Sequence, residues 1–280
     1  MTTNQDKATA AHDRAVAANE RRAALDPDLR DVPEGASRWS AWIDLDHALA
    51  GEPPPQPQVC RWDGSALFYP NEVHSVFGDP ESMKSWLMLL ACAQQLKAGC
   101  RAFYLDMESI EQAVVERLLL LGVERDVIKR CFHYFRPDGP ITNHDQYRWQ
   151  VLVRKFKPTL VVLDGVTEAF ATQGLSIMDP VETARWFRRF SRQFQVEPTD
   201  TYPGPAIVEL DHVVKDRDSR NGWAIGSIHK KAGIKGAAYS LEPVKQFGKG
   251  KHGISRRRAI PSAPAPRHTA RSPDRRPDRA

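Results

Sequence analysis

Lys84 and Ser85 stand at the start of an apolar helical pattern in the stretch GDPESMKSW, directly after an apolar run that ends at Gly78. This arrangement matches the pattern GxxxxGK[ST] at its first glycine, its lysine and its serine. In that pattern backbone N–H groups surround a phosphate at a helix N-terminus, the lysine contacts the β- and γ-phosphates, and the hydroxyl binds Mg²⁺. Met83 occupies the position of the second glycine. The spacing therefore predicts a variant phosphate-binding loop whose nucleotide contacts are Gly78, Asp79, Pro80, Glu81, Ser82, Met83, Lys84, Ser85 and Trp86.

A second candidate is Asp164, which ends the apolar run PTLVVLDGV about eighty residues downstream of the loop. An apolar strand that ends in an aspartate is typical of the Walker B pattern, in which the carboxylate helps to hold Mg²⁺. The alternative is that Asp164 only caps the next turn, as in many α/β proteins. In combination with the loop, the pattern favours a magnesium site formed by Ser85 and Asp164.

Two carboxylates, Asp106 and Glu108, alternate at the end of the run RAFYLDMES. Side chains two residues apart in an extended segment point to the same side, and a carboxylate there can polarise a water that attacks the γ-phosphate. Glu108 is the candidate catalytic base. The alternative is that Glu108 only caps a helix that begins near Ser109.

His212 follows the apolar run GPAIVELD, and Lys215 lies three residues further on. The strand in this run is expected beside the strand that ends in Asp164, which would place His212 near the γ-phosphate as a sensor of nucleotide state. A solvated loop histidine and an ordinary salt-bridged lysine are the alternatives.

The elements that must position these residues alternate between apolar strand-like runs and helical patterns from about Cys60 onward. Such alternation predicts an α/β fold with a mostly parallel central sheet and helices on both faces. Ligands bind at the carboxyl ends of strands in this architecture. The predicted strands are EVHSVFG, RAFYLDME, VIKRCFHYFR, PTLVVLDGV and GPAIVELDHV, and the predicted helices span residues 84–97, 109–121, 145–156 and 180–194.

Three regions are expected along the chain. Residues 1–38 are rich in alanine and charged residues without a strong apolar stripe, so we expect a partly helical or disordered arm. Residues 39–250 form the predicted α/β domain, entered through a proline-rich stretch. Residues 251–280 are rich in arginine, proline and serine, which predicts a basic disordered tail.

The composition excludes several other classes. Hydrophobic residues make up 41% of the chain, which is enough for a core, and most of the net charge of +5 can come from the basic tail. The four cysteines show no CxxC spacing, so a zinc site is not expected and reduced thiols are. No apolar run approaches the roughly 20 residues of a membrane span, and no signal peptide is recognisable. We therefore expect a cytoplasmic protein without a membrane partner.

These motifs together resemble the RecA-like P-loop ATPases, AAA family ATPases of actinobacteria and their phages that are related to plasmid hexameric replicative helicases. The resemblance covers about residues 40 to 250, and its most specific segments are DGVTEA and DHVVK…AIGS. Relatives of this kind look to have GESES, a variable residue and Lys-Ser, so Met83 matches the variable position. The resemblance implies an ATPase with ATP and Mg²⁺ as cofactors, Lys84 and Glu108 as catalytic residues and His212 as sensor.

The resemblance also implies partners. Proteins of this kind assemble into homo-oligomeric rings or filaments and act on DNA as helicase or recombinase motors, here in replication or recombination of a mobile element. One departure supports an alternative. After the glycine-rich turn at residues 248–253, where relatives continue with a strand and a Lys-Asp-Arg-like segment, this chain continues as ISRRRAIPSAPAPRH. The alternative is a nucleotide-binding regulatory, loader or degenerate subunit with little turnover.

Overall fold

A seven-stranded sheet organises the part of the chain that the computed structural model describes, which is Leu49 and residues 55–213, 228–245 and 252–260. A small antiparallel pair, β1 and β2, precedes it. All neighbours in the large sheet pair in parallel except the last two strands. The strands are β1 (Val59–Cys60), β2 (Ala66–Phe68), β3 (Val73–Gly78), β4 (Ala102–Asp106), β5 (Phe132–Phe135), β6 (Leu160–Asp164), β7 (Ala206–His212), β8 (Ala238–Lys245) and β9 (Ile254–Ile260), in the spatial order β5-β4-β6-β7-β3-β8-β9.

Helices cover both faces of this sheet. One face buries an apolar cluster that includes Met88, Leu118 and Ile128, which belong to the first three helices. The opposite face buries a second cluster that includes Phe170 and Trp186, from later helices. The predicted α/β fold with a mostly parallel sheet is confirmed. The helices are α1 (Lys84–Lys97), α2 (Glu111–Leu120), α3 (Arg125–Cys131), α4 (Asn143–Phe156), α5 (Val166–Thr172), α6 (Pro180–Arg189) and α7 (Ile228–Gly233), with a 3-10 turn at Ser191–Phe194.

Local sequence explains why the central elements form where they do. β6 reads LVVLD and every one of its residues is buried, as expected for a strand covered by helices on both faces. α4 begins with a capping box in which Thr142 and Asp145 exchange hydrogen bonds. α6 begins with Asp179 as N-cap followed by Pro180, whose fixed φ suits the first helical turn.

The segment VIKRCFHYFR differs from its prediction as a strand. Its first half belongs to α3, and only Phe132–Phe135 forms the strand β5. Ile128 is buried whereas Lys129 and Arg130 are exposed, so the segment has an apolar face at helical spacing. Similarly, the predicted helix over 180–194 ends at Arg189, and the structure adds α5 directly after the strand that ends in Asp164.

The boundary of the predicted basic tail at residue 251 is wrong. Ile254–Ile260 forms β9, which pairs antiparallel with β8 at the edge of the sheet. The Arg257 guanidinium lies 4.5 Å from the centroid of the Tyr239 ring, so this arginine packs on the sheet while the ring stabilises its positive charge. Charged side chains are common on edge strands. A composition rich in charge, which suggests disorder, is therefore also compatible with an edge strand. The predicted arm, Lys215 and the rest of the tail lie outside the described residues.

Two further expectations concern cysteines and membranes. All four cysteines are free thiols, and only Cys92 is buried. Among the described residues, no helix combines the length and apolar character that crossing a membrane would require.

Candidate functional site

The loop between β3 and α1 has an unusual backbone. Glu81 and Met83 have positive φ values of 62° and 75°, in the left-handed region. An L-residue in this conformation costs roughly 1–2 kcal/mol relative to the right-handed one, and glycine avoids that cost. Met83 therefore stands at the position of the pattern's second glycine and adopts the backbone that favours glycine.

The alternation of φ signs along this loop forms a concave backbone. Ser82, between the two left-handed residues, does not share their positive φ. Such alternation turns successive N–H groups to one side and is typical of anion-binding turns. α1 follows immediately and, in the described part of the chain, has neither a side-chain cap nor an acidic residue in its first turn. Its first N–H groups therefore add to the positive potential at the loop.

Gly78 is required where β3 enters the loop. A Cβ atom at this position would lie 2.4 Å from the carbonyl oxygen of Leu241 and 2.7 Å from Oγ of Ser82. Both distances are shorter than ordinary contacts, so any side chain would displace the loop from the sheet. Ser82 is fully buried, and its carbonyl oxygen accepts a hydrogen bond of 2.9 Å from Oγ of Ser255 on β9. The C-terminal strand thus supports the loop directly.

The Lys84 side chain folds back over the loop. Its Nζ donates hydrogen bonds of 3.0 Å to the carbonyl oxygens of Gly78 and Asp79. Burial lowers the pKa of Lys84, and the negative charges of Asp164, Glu108 and Asp79 oppose that shift. The ammonium therefore lies within electrostatic reach of the predicted metal residue and the predicted base. The remaining predicted contact residues differ in exposure: Pro80 is exposed, and the ring of Trp86 lies under the guanidinium of Arg117 on α2.

The predicted metal residues Ser85 and Asp164 lie together. Burial raises the pKa of Asp164 to about 6 and outweighs the hydrogen bonds from the hydroxyls of Tyr104 and Ser85, which lower it. The bond from Tyr104 measures 2.5 Å. No group of three or more His, Cys, Asp or Glu side chains that could hold a metal occurs within the described ranges. One hydroxyl and one carboxylate are nevertheless a suitable pair for Mg²⁺, which commonly takes few protein ligands and keeps phosphates and waters.

Asp106 and Glu108 have separate roles. Oδ1 of Asp106 accepts the backbone N–H groups of Glu108 and Ser109, at 2.9 and 2.7 Å. Asp106, fully buried, thus fixes the turn at the end of β4. α2 begins only at Glu111 and has Ile110 as N-cap, so the alternative that Glu108 caps this helix is not what the structure shows.

Glu108 instead pairs with His212. Oε1 of Glu108 lies 3.2 Å from Nε2 of His212, and both side chains are partly exposed. The hydrogen bond from His212, with the charges of His212 and Lys84, lowers the pKa of Glu108 against the effect of partial burial. A Cβ atom at Gly165, whose φ is +87°, would lie 2.8 Å from Cγ of Glu108. Gly165 therefore makes room for the Glu108 side chain next to Asp164.

Sheet order brings these residues to one edge. β7 lies between β6 and β3, as expected for a strand beside the one that ends in Asp164, and its last residue His212 pairs with Gly78. On the next strands Asp106 pairs with Asp164. Parallel strands in register place the loop, the metal pair and the Glu108–His212 pair at their common carboxyl edge.

Two participating residues escaped the sequence interpretation. Tyr104 lies two residues before Asp106 in RAFYLDMES, so the two-residue period of a strand places both on the same face; that signal was available. Ser255 contacts the loop only because β9 joins the sheet edge, and nothing in the local sequence indicates a partner more than 170 residues away.

No family model matches the chain, and a comparison with curated proteins finds none that is similar. The resemblance to RecA-like P-loop ATPases therefore stays a prediction. Any assignment of function depends on the geometry of the residues at the carboxyl edge.

Proposed function

We propose that the chain binds Mg-ATP at residues 78–86 and hydrolyses it, as a RecA-like ATPase. The observation that carries the proposal is the backbone of Met83, a left-handed residue directly before a buried lysine and an uncapped helix N-terminus. Left-handed residues other than glycine cluster at functional sites, and this combination is suited to a phosphate group. In the same proposal ATP hydrolysis drives a homo-oligomeric DNA motor of helicase or recombinase type in a mobile element.

Each polar residue at the edge has a proposed task. The ammonium of Lys84 exchanges its loop carbonyl partners for phosphate oxygens, where a fixed cation stabilises negative charge that develops in the reaction. Ser85 and Asp164 hold Mg²⁺, which when bound neutralises charge on the β- and γ-phosphates. Tyr104 orients the Asp164 carboxylate through its hydrogen bond.

Glu108 is the proposed base. It orients the attacking water and accepts its proton, which requires the carboxylate to be ionised at neutral pH. The lowered pKa of Glu108 meets that requirement. His212 contacts the Glu108 carboxylate and lies beside Gly78, the first residue of the loop. In this proposal it therefore senses whether the γ-phosphate is present.

A nucleotide-binding subunit with little turnover is the second candidate. The observation that favours it is the contact between Glu108 and His212, which engages the carboxylate that would have to bind water. In that case the protein binds nucleotide as a regulatory or loader subunit. Both candidates require the loop, and they differ only in whether Glu108 leaves His212 during a catalytic cycle.

Nucleotide binding and hydrolysis measured with and without single-stranded DNA test the proposal. In Lys84→Ala we expect ATP affinity or turnover to fall by about 10²-fold or more, because water does not replace a fixed cation among phosphates. Glu108→Gln keeps ATP affinity and slows hydrolysis by about 10²-fold or more, since the amide cannot accept a proton. Lys129→Ala removes an exposed lysine from α3 and is the matched control.

The outcomes separate the candidates. Unchanged binding and hydrolysis in Lys84→Ala overturn the loop assignment. Wild-type binding without measurable hydrolysis, with or without DNA, supports the regulatory subunit instead. Equal hydrolysis in Glu108→Gln and wild type removes Glu108 from the chemistry and leaves Asp106 as the carboxylate to test.

A further inference from the structure

A second concave site lies at the opposite end of the same sheet edge. Where β5 ends, the chain turns through FRPDGPI into α4 and encloses a cavity of about 380 Å³. Phe135, Arg136, Arg148 and Trp149 line this cavity. Its volume falls in the range of about 300–1,000 Å³ that is typical of pockets for small ligands or single chemical groups.

A smaller cavity of about 130 Å³ continues from the first. The two share Ile141 and Phe190 in their walls, and the smaller one adds Arg185 and Arg189 from α6. Together they form what we call the arginine groove, defined by Arg136, Arg148, Arg185 and Arg189 around Phe135 and Trp149. The groove lies on the sheet face opposite α1, where α4 and α6 pack.

The charge of the arginine groove is positive. Two carboxylates line it, and one of them, Asp145, accepts hydrogen bonds from the backbone N–H and hydroxyl of Thr142 in the capping box of α4. Arg189 donates to the uncharged Oδ1 of Asn143 at 3.2 Å. Among the described residues, none of the four arginines forms a salt bridge. Four guanidinium groups against two carboxylates thus favour a polyanionic ligand.

Aromatic rings give the groove a second kind of contact. The Trp149 ring meets the Phe135 ring edge-on, with centroids 4.7 Å apart, and both residues are only partly buried. Aromatic and guanidinium planes in a basic groove bind the bases and phosphates of single-stranded nucleic acids without sequence preference. An acidic peptide would use the arginines and gain little from the rings. The geometry points to the arginine groove as a binding site for single-stranded nucleic acid, with a base against Trp149 and phosphates at the arginines.

The groove is connected to the proposed ATP site. Tyr134 also lines the larger cavity, and its hydroxyl lies 3.4 Å from the carbonyl oxygen of Ser109, next to Glu108. Its ring is stacked with that of Tyr104, which donates to Asp164. An effect of bound nucleic acid on hydrolysis through these contacts rests on the proposed function. Binding of a nucleic acid to the groove does not depend on the ATP site, because ATP takes no part in it.

The test is fluorescence anisotropy of a labelled 20-residue oligothymidylate, without nucleotide, over a series of salt concentrations. The double variant Arg136→Gln and Arg148→Gln should bind at least tenfold more weakly, and its salt slope should fall by about 1.4, since each phosphate contact to a single strand contributes about 0.7. Arg125→Gln with Arg130→Gln removes two exposed arginines of α3 on the other face and is the matched control. Its affinity should stay within twofold of wild type.

An abasic oligomer of equal length separates bases from phosphates. We expect it to bind wild type at least about tenfold more weakly than oligothymidylate, because an abasic strand has no base to stack on an aromatic ring. Equal affinity of groove variant and wild type overturns the site. Equal affinity for the abasic oligomer, or equally tight binding of polyglutamate, assigns the groove to a general polyanion and overturns recognition of nucleic acid. ATP binding by wild type and by the groove variant is measured separately, so that a failure of the groove can be distinguished from a failure of the proposed ATP site.

Discussion

Two groups of charged side chains, one towards each face of the central sheet, differ in their access to solvent. On the face that carries α1, the side chains of Glu108 and His212 are 41% and 29% exposed. Lys84, beside them, donates its hydrogen bonds to carbonyl oxygens of the loop. On the opposite face Glu209 and Lys230 are almost fully inaccessible. The first group, which we call the accessible cluster, is thus open to a ligand, whereas the second, the inaccessible network, is neutralised internally.

The inaccessible network satisfies most of its polar atoms within the fold. Asp211 accepts from Lys230 and, at 2.9 Å, from the hydroxyl of Thr167. Glu209 accepts from the Trp186 indole at 3.1 Å. Burial, opposed by the charge of Glu209, lowers the pKa of Lys230 to about 8. A shifted pKa alone therefore does not mark a functional site; access to solvent and a strained backbone distinguish the loop from this network.

The largest expected effect is a loss of stability when the inaccessible network is broken. Lys230→Met should lower the free energy of unfolding by about 3–5 kcal/mol, because it leaves the Asp211 carboxylate buried without its cation. Urea denaturation measures this loss, and Lys129→Met, at an exposed position of α3, is the control, expected within about 0.5 kcal/mol of wild type. A loss as small as that of the control would mean that the network does not differ from the surface.

Gly165→Ala should affect the accessible cluster through Glu108. Gly165 and Gly174 both have positive φ, but only at Gly165 would a Cβ meet another side chain. Both alanine variants pay a backbone cost of about 1–2 kcal/mol, whereas only Gly165→Ala displaces Glu108 and should slow ATP hydrolysis at least about tenfold. Steady-state hydrolysis rates decide the point. Equal rates in the two variants would show that the Glu108 position is not critical.

In the accessible cluster, a rise in pH should lower the stability of the fold and strengthen Mg²⁺ binding, because both depend on ionisation of Asp164. The fold raises the pKa of Asp164 from its ordinary value of 3.8 to about 6, so ionisation of this carboxyl makes the fold less stable as the pH rises between those two values. Binding of Mg²⁺ requires the ionised form. The Mg²⁺ concentration needed for half-maximal ATP binding should therefore rise about tenfold between pH 7 and pH 5, because the ionised fraction of a group with a pKa of about 6 falls about tenfold over that range. A flat dependence, matching that of Asp164→Asn, would remove Asp164 from the metal site.

The smallest expected effect is a gain. Met83→Gly should raise the free energy of unfolding by about 1 kcal/mol, since glycine adopts the left-handed backbone without the penalty of a side chain. Lys157→Gly, at another left-handed position outside the loop, should give a similar gain. ATP affinity in Met83→Gly should be unchanged or higher. A destabilised Met83→Gly protein would mean that the methionine side chain, and not its backbone, is what the loop requires.

Sequence patterns predicted the elements around the accessible cluster better than the rest of the fold. The boundaries of α1 and the strand that ends in Asp164 follow from local apolar periodicity, which acts over one element. β9 was missed because its pairing with β8 is decided by tertiary contacts that override its charged composition. The arginine groove combines residues from β5, α4 and α6 that are far apart in the sequence, so no spacing indicates it.

The most direct test of the central claim is calorimetric titration of wild-type protein with ATP, ADP, AMP and adenosine in the presence of Mg²⁺. If residues 78–85 surround phosphates, affinity should fall by at least about tenfold when the β-phosphate is lost, since each such interaction with charged groups contributes about 1.5–3 kcal/mol. ATP and ADP should then bind, and AMP and adenosine should bind much more weakly. Equal affinity for ATP and AMP, or no binding of ATP at about 1 mM, a concentration that would detect affinities near −4 kcal/mol, would contradict the account.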